Sequence, residues 1–73
     1  MNTAELRAAI ARAGRTRISL ADAIGTTPRS FHNKLRGETQ FKAGEILTLA
    51  RELDLDLAGV NEIFFDGLVN FIH

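Results

Sequence analysis

Few side chains in this sequence have the type and spacing that covalent chemistry needs. There is no Cys, which removes thiolate nucleophiles, disulfides and thiolate metal sites together. The two histidines, His32 and His73, stand 41 positions apart, so no local ligand pair such as H-x-x-x-H exists. Ser30 and His32 are next-but-one neighbours, and on a helix they point in different directions, which rules them out as a local nucleophile–base pair. No G-x-S-x-G elbow, no phosphate-cradling glycine loop and no carboxylate pair in a catalytic setting occurs. These residues read as a non-enzyme with no cofactor and no metal. What remains is a group of side chains suited to binding by hydrogen bonds: Arg29, Ser30, His32, Asn33 and Arg36.

The local punctuation says what must position them. Thr27 is a favoured helix N-cap, and Pro28 falls at the first helical position, where its missing N–H costs nothing. A helix from Pro28 to about Arg36 is expected, stopped by Gly37. Phe31 and Leu35, four apart, share its inward face, which leaves the five polar residues facing outward. Ahead of it, Thr16 caps a short helix over about Arg17–Ile24, with Ile18, Ala21 and Ile24 expected to face inward and Gly25 closing it. An amphipathic first helix spans Ala4–Ala13 through Leu6, Ala9, Ile10 and Ala13, with a capping box from Asn2 and Glu5 and a stop at Gly14. A fourth covers about Ala43–Leu53 through Ile46, Leu49, Ala50 and Leu53, with Gly44 weakening its first turn by about 1 kcal/mol relative to alanine. Leu57, Val60, Ile63, Phe64 and Phe65 suggest a fifth, interrupted near Asp66-Gly67. The segment from Leu68 to Ile72 fits either a continued helix or a short strand. The expected fold is all-α: one compact bundle of about five short helices over residues 1–73, with 66–73 as an apolar C-terminal extension.

Two short helices joined by the tight Gly25-Thr26-Thr27 turn have the layout of a helix-turn-helix. With 73 residues the chain is near the lower size at which an apolar core holds without staples. Its 45% hydrophobic and 25% charged composition is that of a soluble globular protein. No apolar run approaches the roughly 18–20 residues that span a bilayer, and Asn2, Thr3 and Glu5 do not open a signal peptide. A cytoplasmic location without membrane contact is the expectation. Formal net charge is zero, but residues 1–42 hold eight basic against three acidic side chains, and residues 43–73 hold one against six. A chain so divided can turn a basic face to a polyanion and hold an acidic face away.

The stretch Ser19-Leu20-Ala21-Asp22-Ala23-Ile24-Gly25-Thr26-Thr27 resembles the L-A-x-x-(I/L/V)-G-x-(S/T) core of the lambda-repressor-like helix-turn-helix family. That family includes the Cro and repressor proteins of lambdoid phages and many Xre-type bacterial regulators. The likeness continues through Phe31, Gly37 and the pattern Ile46-x-x-Leu49-Ala50-x-x-Leu53. It is greatest with short phage-type regulators carrying F-x-x-K-L-x-G, here Phe31 to Gly37, then a Phe and Glu-Ile (Phe41, Glu45-Ile46) and a terminal Ile63-Phe64-Phe65. It covers roughly residues 4–65.

The resemblance implies double-stranded DNA as the partner and a role in transcriptional control. Pro28, Arg29 and Asn33 align with the family's base readers, with Ser30 and His32 as outward neighbours. Arg29 can hold guanine O6 and N7 with two hydrogen bonds, and Asn33 can do the same for adenine N6 and N7. Arg17, Thr27 and Arg36 align with the clamps on the phosphate backbone. Pro28 departs from the Gln or Ser often found there; it offers no donor and leaves more of the discrimination to Arg29. Phe64, Phe65, Leu68, Val69, Phe71 and Ile72 are too many large apolar groups for one small subunit to bury, so some should cover a partner, most simply a second copy in a homodimer. The competing reading keeps the scaffold and changes the ligand: a modulator, or antirepressor, that docks on a partner repressor protein instead of DNA.

Overall fold

A computed structural model describes residues 1–67, and within them the chain is all-helical, with no strand. The five helices are α1 Thr3–Ala13, α2 Arg17–Ala23, α3 Pro28–Leu35, α4 Ala43–Glu52 and α5 Leu57–Phe64. Each boundary lies within a residue or so of the expected one up to the end of α4. The fifth helix ends at Phe64 with Phe65 as its C-cap, and the expected interruption follows where Asp66 and Gly67 turn through positive φ values of 52° and 73°. The expected contributions of Leu68, Val69, Phe71 and Ile72 lie outside the described residues. No helix of the described residues is long and apolar enough to cross a membrane.

Side-chain caps begin most of these helices. Asn2 Oδ1 accepts the Glu5 N–H at 3.0 Å, but only this half of the expected capping box forms. Glu5 instead turns to Arg12 at 3.1 Å, while the Asn2 N–H donates to the Ile63 carbonyl at 2.6 Å. A reciprocal box occurs at α2: Thr16 Oγ1 accepts from the Ser19 N–H at 3.0 Å, and Ser19 Oγ accepts from the Thr16 N–H at 3.3 Å. Thr27 caps α3 through the Ser30 N–H at 3.1 Å, and Asp56 caps α5 through the Gly59 N–H at 2.8 Å. Gly25 and Gly37 bracket α3 with φ of 75° and 84°, a left-handed conformation that costs a side-chain-bearing residue about 1–2 kcal/mol.

The core joins Leu6, Ala9 and Ile10 of α1, Leu20 and Ala21 of α2, Phe31 and Leu35 of α3, Phe41 of the following loop, Leu49 and Leu53, and Ile63 of α5. Phe31 and Phe41 meet edge to face at 5.9 Å, and Phe41 meets Phe64 likewise at 5.7 Å, so an aromatic chain runs from α3 to the end of α5. Two residues of the expected inward faces are placed otherwise: Ala13 is exposed at the end of α1, and Ile18 is 70% exposed. Leu20 and Ala21 define the buried side of α2, and at 3.6 residues per turn Ile18 lies about 110° around the helix from the middle of that side.

Candidate nucleic-acid interface

Helix α3 is held by one side and displayed by the other. Phe31 and Leu35 are fully buried, Lys34 is buried beside them, and α2 is its principal helix neighbour. At 3.6 residues per turn the opposite arc is centred near Asn33, with Arg29 and Arg36 around it and His32 at its edge. Of these, Arg29, His32 and Arg36 are exposed and Asn33 is half-buried. Arg29 and Asn33 are one turn apart, so their Cβ atoms are neighbours at about 5–6 Å on the same solvent face. Pro28 is exposed at the first helical position, and Ser30 sits half-buried on the flank between the two faces. Arg29, His32 and Asn33 therefore share an accessible surface, whereas Pro28 is exposed about 140° around the axis from Asn33 and Ser30 is half-buried on the other flank.

The three expected backbone clamps are in different states. Arg17 opens α2, exposed and in no ion pair among the described residues. Thr27 Oγ1 already accepts the Ser30 N–H, but a hydroxyl that accepts one hydrogen bond still donates another. Arg36 caps α3 and pairs with Glu38 at 3.3 Å, both ends half exposed, a contact that water weakens and an anion can replace. Phe64 is half-buried against the core, whereas Phe65 is 40% exposed and is the residue of the expected partner surface most open to solvent among those described.

The charge division of the sequence is partly closed in space. Arg15, between α1 and α2, reaches Glu52 of α4 at 2.8 Å, and Lys34 of α3 reaches Glu45 of α4. Two basic groups of the first segment are thus neutralised by acidic groups of the second. Arg7, Arg17, Arg29 and Lys42 are the basic side chains of residues 1–42 with no ion pair among the described residues.

The Lys34–Glu45 contact has no counterpart in the expectations from sequence. Lys34 Nζ donates to both carboxylate oxygens at 2.7 Å, and Glu45 Oε1 also accepts the Lys42 N–H at 2.8 Å. The side chains are 11% and 15% exposed. Burial raises the Glu45 pKa, but the hydrogen bonds from Lys34 and from the Lys42 amide, with the two nearby positive charges, outweigh it and hold the carboxyl below its ordinary value. The sequence did carry a signal: Lys34 directly precedes inward Leu35, and Glu45 falls in the first turn of a helix lacking a Ser, Thr, Asp or Asn cap.

Among the described residues no three of His, Asp and Glu are gathered in a way that could hold a metal ion. No protein-family profile matches the chain, and no curated protein or solved structure is significantly similar to it.

Proposed function

We propose that the protein is a sequence-specific DNA-binding transcriptional regulator, with α2 and α3 as a helix-turn-helix of the lambda-repressor-like kind and α3 as the recognition helix. The observation that carries the reading is the division of α3. Its inner side is locked into the core by Phe31 and Leu35, and its outer side offers Arg29, His32, Asn33 and Arg36 to solvent. A major groove about 12 Å wide admits one such helix, where an Arg fork matches guanine and an Asn amide matches adenine. Arg17, the remaining Thr27 donor and Arg36 would grip phosphates on either side and fix the helix in the groove.

A single domain with so few phosphate contacts binds weakly and with strong salt dependence, so the working form is a homodimer on a partly palindromic operator. Its recognition helices would then sit about one helical turn apart, about 34 Å. Such a protein acts in the cytoplasm, at the chromosome. Selection of duplexes from a random library at about 150 mM salt, with sedimentation of the protein alongside, tests this directly. An enriched palindrome bound by a dimer is the expected result; absence of any enriched motif overturns it.

One observation favours a second reading. Ile18 stands exposed directly beside Arg17 at the start of α2, and Pro28 puts an apolar ring at the start of α3. Apolar groups there suit a protein surface better than a phosphate backbone. On that reading the protein is a modulator that binds a partner repressor, and it forms a stable complex with such a repressor while leaving no footprint on DNA.

A further inference from the structure

The solvent face of α3 is useful only if it points one way, and the contacts holding the helix are unevenly distributed. Its backbone packs against α2 and not closely against α4. Its two apolar anchors, Phe31 and Leu35, lie only about 40° apart around the helix axis at 3.6 residues per turn. Anchors on so narrow an arc resist pulling out better than they resist rolling. Lys34 lies about 60° from Phe31 and about 100° from Leu35, outside that arc on the Phe31 side.

From there its ammonium crosses to α4 and meets both Glu45 oxygens at 2.7 Å. Glu45 is itself fixed to the first turn of α4 by the Lys42 N–H, so the far end of the bridge has a set position. We infer that the Lys34–Glu45 bridge sets the roll of α3 about its own axis, making Lys34 and Glu45 positioning residues for the outward row Arg29, His32, Asn33 and Arg36. This rests on the DNA-binding reading for its consequence but not for its geometry.

An ion pair adds little stability, because desolvation offsets most of the attraction, and apolar replacements of similar volume are often neutral. Its use here is directional. Two apolar side chains can slide past each other, whereas an ammonium between two carboxylate oxygens holds one place. Neither residue points to solvent, so neither is expected to touch DNA; both act through where they put Arg29 and Asn33.

The test is the double variant Lys34→Met/Glu45→Gln. It removes both charges, while the amide oxygen introduced at position 45 can still accept the Lys42 N–H. Two readouts are taken. Residual dipolar couplings of α3 amides, referred to α1 and α4, report the helix orientation without DNA. The ratio of selected-site to scrambled-site affinity reports its consequence.

The expected result is a folded protein whose α3 couplings depart from those of the unaltered chain. Its affinity ratio falls about tenfold, the cost of one misread base pair, with non-specific binding and its salt slope unchanged. The single variant Lys34→Arg, whose fork also engages both carboxylate oxygens, keeps the couplings and the ratio of the unaltered chain. Unchanged couplings in the double variant overturn the inference. If the unaltered protein selects no DNA motif, the DNA reading fails while the couplings still decide the positioning role.

Discussion

Arg29 sits near the centre of the α3 solvent face and takes part in no ion pair among the described residues, so its donor fork is open to a ligand. Arg29→Ala should cost about 1–3 kcal/mol of binding to the selected duplex and relax preference at one base position. Arg17→Ala should instead weaken selected and scrambled duplexes alike and lower the salt slope by about one. Titrations of both duplexes over a range of salt separate these roles, and equal losses on both duplexes for Arg29→Ala would remove it from base reading. Lys34 is a different case because its partner is nearly buried. Lys34→Met leaves the Glu45 carboxylate without its cation and should destabilise the fold by about 2 kcal/mol near neutral pH, less than a fully buried pair would lose. The pH dependence follows from the lowered Glu45 value. A carboxylate whose folded pKa is depressed adds stability above its unfolded pKa and loses it as pH falls through the folded one. The difference between the two proteins in urea unfolding should therefore shrink as pH falls from neutrality through the ordinary carboxylate range and past the lowered Glu45 value. A difference that stays constant across that interval would mean the pair contributes no charge-dependent stability.

Helix α3 has only eight residues, too few to persist alone, so its ends must be enforced by the flanking chain. Thr27 does this at one end. Thr27→Ala should lower stability by about 1 kcal/mol, and Thr27→Ser should largely preserve it by keeping the oxygen that accepts the Ser30 N–H. Thermal unfolding of the three proteins decides this, and equal loss in the Ser and Ala variants would show that the methyl group, not the cap, matters. These ends were legible because capping is local: Thr16, Thr27 and Asp56 lie within three residues of the amides they satisfy. The buried faces of α1 and α3 were legible for the same reason, since Leu6, Ala9 and Ile10, or Phe31 and Leu35, repeat at helical spacing. Ile18 was misplaced because α2 has seven residues, and so short a pattern admits more than one choice of inner face. The Arg15–Glu52 pair joins residues far apart in the chain, and the Lys34–Glu45 bridge spans the loop between two helices, beyond the reach of any helical repeat. No spacing rule selects one such partner among nine acidic residues.

At the scale of the molecule, the cross-links from α3 and the α1–α2 turn to α4 leave a small protein with little free positive charge. Lys34 and Arg15 are occupied within the fold, so Arg17, Arg29 and the readily released Arg36 carry most of the attraction that α2 and α3 can offer a duplex. Each neutralised phosphate contributes about 0.9 to the salt slope, so one subunit should show a slope of only about 3 and two subunits about twice that. The affinity needed for regulation then depends on pairing, and Phe65 is the described apolar group of the expected partner surface most open to solvent. Because Phe65 is already 40% exposed, Phe65→Ser should cost the isolated fold about 2 kcal/mol, less than the loss of a fully buried ring. In a dimer that buries this ring, the same change should shift sedimentation towards the monomer and halve the salt slope. Affinity for a duplex with two half-sites should fall towards that for a duplex with one. A variant that stays dimeric, with an unchanged preference for two half-sites, would place the contact elsewhere. The exposed Leu47 of α4 and Leu57 of α5 would then be the next positions to change, since those two helices pack against each other and carry the other large exposed apolar groups outside α2 among the described residues.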